Sequence, residues 1–235
     1  MVTAQHAFSG EVAISAGPVL LPGVLEIPAG APGVVLFAHG SGSSRFSSRN
    51  RFVAEVLRRG GLGTLLFDLL TEPEAADRAN VFDIPLLASR LAAAADWLRA
   101  ARDIPSWGDG SGGERRGGAA PGRIAGDRPV AYFGASTGAA AALVAAADDP
   151  SIASIVSRGG RPDLAGEALP RVKAPTLLIV GGDDHIVVDL NRDALERLAC
   201  PRELAVIPGA THLFEEPGAL EQVAHLALDW FRRHF

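Results

Sequence analysis

One serine stands between two glycines in Gly134-Ala135-Ser136-Thr137-Gly138, where the apolar run "VAYFG" gives way to the alanine-rich stretch "AAAALVAAA". Small residues at such a place suit a tight turn. They also suit a nucleophile. A strand ending and a helix starting there would hold the Ser136 hydroxyl above a sheet, at the positive end of the helix, where the negative charge of an acyl transfer is favoured. A serine hydroxyl attacks poorly without a base, so this second reading requires a histidine within reach and a carboxylate to orient it. The chain supplies both downstream, in "LLIVGGDDHIV" and "LAVIPGATHLFEEPG", each just past an apolar run. Asp184 lies three positions after Gly181 and three before Val187, and His212 follows the last apolar run. Asp183 is the alternative acid; the spacing favours Asp184.

The remaining candidates read differently. His185 shares the acid's loop and reads as a surface or wall residue. His39 ends an apolar run beside Gly40 and reads as a residue that holds that loop by hydrogen bonds. His6, His225 and His234 fall near the ends or on the last helical stretch and read as solvated. The six histidines show no H-x-x-x-H or comparable spacing, so no metal and no cofactor are expected. Cys200, the one cysteine, excludes an intramolecular disulfide and reads as structural. Asp68 reads as a structural hydrogen-bonding group. Arg45, Arg49, Arg51, Arg78, Arg158 and Arg161 all fall on segments that follow apolar runs. They are either solvated or paired with Asp77, Asp83 and Asp163, or they clamp a substrate carboxylate or phosphate, with Arg158 the first choice.

The elements that must position these residues alternate along the chain. Residues 10–16 and 19–27 read as a strand pair meeting at Gly17-Pro18. Further strands are expected at 33–40, 62–70, 128–134, 151–157, 175–182 and 202–209, and helices at 49–59, 83–102, 137–147, 189–198 and 218–233. Continuous apolar strands between helical segments predict an α/β fold, a mostly parallel twisted sheet covered by helices on both faces, with the N-terminal hairpin adding antiparallel strands at one edge. The glycine- and charge-rich segment 106–128 reads as a mobile insertion loop. Running from a helix back into a strand, it belongs at the sheet's N-terminal edge, opposite the edge where ligands bind in such folds. The 235 residues read as one domain.

A net charge of -5, with 48% apolar and 21% charged residues, matches a globular protein and gives no reason to expect nucleic acid. No apolar run approaches the ~20 residues of a membrane helix, and no signal peptide is evident, so the expectation is a cytoplasmic protein.

"GASTG", "GGDDHIV" and "GATH", in that order, resemble the α/β-hydrolase superfamily, and "FAHGSGSS" resembles its oxyanion loop. Compactness and the lack of a cap insertion most resemble the dienelactone-hydrolase-related branch. The resemblance runs from about residue 10 to 235. Where dienelactone hydrolases use a cysteine nucleophile, this chain has Ser136. The resemblance implies Ser136 as nucleophile, His212 as base and Asp184 as the acid that orients it. It implies an oxyanion hole from the backbone N–H groups of Thr137 and Ser41, with Gly40, Gly42 and Arg158 contacting substrate. The implied activity is acyl-enzyme hydrolysis of small carboxylic esters or lactones. A non-catalytic ligand-binding or scaffold protein on the same fold is the alternative, and would show no serine reactivity.

Overall fold

The computed structural model describes residues 6–101 and 128–235. The expected insertion loop, 106–128, therefore lies outside the described residues except for Arg128.

Two antiparallel strands open the chain, β1 (His6–Ala16) and β2 (Val19–Pro28), joined at Gly17-Pro18. They are followed by β3 (Val34–Ala38), α1 (Ser48–Arg59), β4 (Gly63–Phe67), two short helices α2 (Glu72–Ala76) and α3 (Arg78–Val81), and α4 (Ile84–Ala100). Beyond the undescribed segment come β5 (Val130–Ala135), α5 (Thr137–Asp148), β6 (Ile152–Arg158), a 3-10 segment (Pro162–Arg171), β7 (Thr176–Gly181), α6 (His185–Arg197), β8 (Arg202–Ile207) and α7 (Ala219–His234). The sheet order is β1-β2-β4-β3-β5-β6-β7-β8; β2 also pairs antiparallel with β4, and every later pairing is parallel.

Strands β3, β4, β5 and β7 are buried along their whole length, as continuous apolar strands covered on both faces must be. On one face α1 and α7 pack over Phe37, Phe133, Val156 and Ile179. On the other, α4, α5 and the 3-10 segment pack over Leu36, Tyr132, Ile155 and Leu178. Alanine dominates α5, and nine of its residues are buried, because short side chains let the helix lie close against its neighbours. Cys200 is buried beside Thr176, consistent with a structural thiol. No described helix is long and apolar enough to cross a membrane.

The parallel register levels the carboxyl ends of the central strands. Gly134 pairs with both Ala38 and Ser157, and Ala135 pairs with Arg158. Between Arg158 and Thr176 only the 3-10 segment intervenes, so no cap domain covers this edge after β6.

Three helical pieces were not expected from the sequence: α2, α3 and the 3-10 segment. Neither α2 nor α3 has a buried residue, so no apolar periodicity marks them. Local caps hold them instead. Thr71 and Glu74 form a reciprocal capping box on α2, and Asp77 accepts from Ala79 N–H at the start of α3. Helix α6 begins at His185 rather than near residue 189, because Asp184 already stands at its N-cap.

Candidate active site

Ser136 sits at the turn from β5 into α5 with φ 50° and ψ -120°, a backbone conformation that costs a non-glycine residue on the order of 1–3 kcal/mol. Its surroundings hold it there. Its N–H donates to the Arg158 carbonyl (3.2 Å), and its own carbonyl accepts from Ala139 and Arg161 N–H groups (3.1 Å each). The flanking glycines are required by contact. A Cβ on Gly134 would lie 2.4 Å from Ala139 Cα, and one on Gly138 would lie 2.1 Å from the Ala38 carbonyl oxygen. The turn is thus wedged between the ends of β3 and β6, with the Ser136 side chain half-buried at the carboxyl edge.

The loop after β8 is docked onto the end of β7 by backbone bonds. Gly182 N–H donates to the Ile207 carbonyl (2.8 Å) and Asp183 N–H to the Ala210 carbonyl (2.9 Å). This docking brings His212 Nδ1 within 2.7 Å of Asp184 Oδ2. Asp184 occupies the N-cap of α6 without a side-chain cap bond, so its carboxylate is available to the imidazole. Asp183 and His185 are both exposed, and neither is hydrogen-bonded to His212 among the described residues. Ser136 and His212 flank one turn. A Cβ on Gly159, just after Arg158, would lie 3.1 Å from the His212 carbonyl oxygen and 3.6 Å from its Cε1. No hydrogen bond joins Ser136 Oγ to His212 among the described residues; catalytic contacts of this kind often tighten only in the reacting complex.

The loop after β3 carries an arrangement that the sequence did not reveal. Ser41 N–H, expected to face an oxyanion, donates to the Thr137 side-chain hydroxyl at 3.0 Å. That bond spans 96 positions, and nothing local in the sequence signals it. His39 fixes the same loop, as expected. Leu69 N–H donates to its Nε2 (3.1 Å), so its Nδ1 carries the proton that the Gly40 carbonyl accepts (3.0 Å). Burial pulls the His39 imidazole below its ordinary pKa, against the opposing effects of the Gly40 bond and of Asp68.

A cavity of about 490 Å³ opens beside this loop, lined by Gly40, Ser41, Gly42 and Thr137 together with apolar Leu69, Leu70, Val81 and Leu87. Arg158 does not line it. Arg158 was expected to contact substrate; by the strand's alternation its side chain shares the face of Val156, toward α1 and α7, and is only 8% exposed. The other arginines are mostly paired. Arg45 binds both oxygens of Asp68 through its N–H and guanidinium, Arg161 binds both oxygens of Asp163, and Arg49 reaches Glu215 at 3.2 Å. Asp77 and Asp83 cap helices rather than arginines.

Comparison with known proteins places the fold and the family. No family profile matches the chain. A dienelactone hydrolase from Anabaena variabilis is 53% identical with a TM-score of 0.84, over 97% of this chain and 98% of that one. An α/β serine hydrolase without a lid from Xanthomonas campestris shares the fold at 22% identity, with a TM-score of 0.71 over 96% of this chain and 94% of that one. Curated relatives from two strains of Mycobacterium tuberculosis, provisionally named phosphoribosyl transferases, are 56% identical over 225 residues. These cover 95% of this chain, which spans about half of each relative's length (46%). The chain belongs to the α/β-hydrolase superfamily, in its dienelactone-hydrolase-related branch.

Proposed function

We propose that this chain is a serine hydrolase that cleaves small carboxylic esters or lactones through an acyl-enzyme. The observation that carries the reading is the 2.7 Å bond from His212 Nδ1 to Asp184, made at the same edge of the sheet as the strained Ser136 turn. An ionised carboxylate can only accept, so it fixes the imidazole proton on Nδ1 and leaves the Nε2 lone pair for the serine. Ser136 Oγ attacks the acyl carbon while Nε2 takes its proton. The carbonyl electron pair moves onto oxygen, where the Thr137 and Ser41 N–H groups stabilise it. Ser41 N–H must leave the Thr137 hydroxyl, or share itself with it, to do so. Collapse expels the alcohol, which takes the proton from Nε2. Water, deprotonated by His212, then releases the acid and restores Ser136.

The cavity reaches the site through Ser41 and Thr137 rather than Ser136 or His212. Its wall of Leu69, Leu70, Val81 and Leu87, beside Arg45, Asp68 and Glu72, suits a small acyl or alcohol group. A cysteine nucleophile is absent from the elbow, so lactone cleavage would proceed here through an ester rather than a thioester intermediate. The transferase name belongs to proteins about twice as long. For this chain, the site residues support the hydrolytic reading. The test is turnover of p-nitrophenyl acetate and butyrate by wild type and Ser136→Ala. A loss of about 10³-fold or more supports the reading. Equal turnover by the variant, with unchanged melting, would refute it.

A further inference from the structure

Arg158 is the one charged side chain that is buried among the described residues. Its Nε and Nη1 are enclosed without a hydrogen-bond partner. Burial pushes its pKa down to about 10, and Arg49, a like charge, pushes the same way. The guanidinium therefore stays ionised near neutral pH while facing another cation. Arg49 lies in the first turn of α1, and its Nε is likewise enclosed without a partner while Nη1 reaches Glu215. That first turn contains no acidic residue, so the positive end of a 12-residue helix adds to the two guanidinium groups. A buried cation without an acceptor is strongly unfavourable. Arginine forks with free donors at a helix N-terminus are the arrangement that binds carboxylates and phosphates.

We propose that Arg158 and Arg49, with the N-terminus of α1, form a binding site for a small oxyanion, a carboxylate or a phosphate, behind the loop that carries His212. The site is coupled to the catalytic edge by covalent neighbours. The Arg158 carbonyl accepts the Ser136 N–H, a Cβ on Gly159 would meet the His212 carbonyl oxygen at 3.1 Å, and Arg49 holds Glu215, three residues past His212. Glu215 already accepts from Arg49, and its chain neighbour Glu216 is a second carboxylate on this loop. Glu216 Oε1 already accepts from Thr211 (2.6 Å), and its Oε2 is enclosed without a partner.

Thermal melting at constant ionic strength, with millimolar phosphate or acetate replacing chloride, tests the site without relying on turnover. Its failure is therefore distinct from a failure of the triad. Phosphate should raise the wild-type Tm by about 2–4 °C, and Arg158→Met should abolish the shift. If Arg158→Met does not fold, Arg49→Met and the wild-type titration carry the same comparison. No shift in wild type, or an equal shift in both variants, overturns the proposal. So does a double-mutant cycle in which Glu216→Gln destabilises only when Arg158 is present, since Glu216 would then be the counter-ion. Ester kinetics separate the two sources of the anion. If substrate carries it, phosphate competes with a dicarboxylic acid monoester, and Arg158→Met raises that ester's KM by about tenfold while sparing a neutral ester. If it is a free ion, the Tm shift occurs without competition.

Discussion

Two strands at the carboxyl edge each lead into an aspartate with a histidine close by, and the two pairs behave differently. At the end of β4, Asp68 is 16% exposed and held by the Arg45 backbone and guanidinium, while His39 turns both nitrogens to the backbone. At the end of β7, Asp184 is 18% exposed, and its carboxylate accepts from His212. Residue type, edge and the burial of the two aspartates nearly match, so they do not decide the role. Bonding does. The Asp68 oxygens accept from the Arg45 backbone N–H and guanidinium and, among the described residues, from no histidine, so this aspartate orients no base. An imidazole with both nitrogens committed to main-chain groups has no free lone pair for a nucleophile's proton. The β4 pair is a brace for the oxyanion loop; the β7–β8 pair is arranged for chemistry.

Substitutions should separate the two regions by size of effect. Asp184→Asn should lower kcat by about 10³-fold or more, because the amide no longer fixes the productive tautomer. Asp68→Asn should cost about 1–3 kcal/mol in urea unfolding through its weakened bonds to Arg45, with a much smaller loss of kcat. A reversal of these two results would break the contrast. His39 gives the pH dependence its sign. Burial keeps its folded pKa below its unfolded value, so the unfolded chain takes up its proton first as the pH falls. The stability from neutral His39 is full above about pH 6.5 and is lost as the pH drops toward the folded pKa, where a proton on Nε2 would oppose the Leu69 N–H. His39→Gln should flatten that part of a Tm-against-pH curve. An unchanged slope would mean that other groups set it.

Smaller effects sharpen the picture around the oxyanion loop. Thr137→Val keeps the backbone donor but removes the acceptor of Ser41 N–H, and should change kcat by only a few-fold, about 1 kcal/mol or less. A loss as large as that of Asp184→Asn would make the hydroxyl itself part of the chemistry. Asp183→Asn, exposed and not bonded to His212, should change activity least.

Much of this was legible in the sequence for physical reasons. The strand–turn–helix at Ser136 and the order of Asp184 and His212 depend on local apolar runs and glycine spacing, and the structure brings the acid and the histidine together. The short helices over 72–81 were not legible because they bury nothing and rest on caps. The pairing of Arg45 with Asp68, the Ser41–Thr137 bond and the inward turn of Arg158 are contacts between distant segments or consequences of strand alternation. Composition and spacing carry no trace of them.

The central claim is that Ser136 is an activated nucleophile. Labelling with a fluorophosphonate probe, with the adduct located by mass spectrometry, tests it most directly. The account predicts an adduct on Ser136 in wild type, none in Ser136→Ala, and strongly slowed labelling in Asp184→Asn. Folded wild-type protein that takes no label, or that takes it elsewhere, would contradict it.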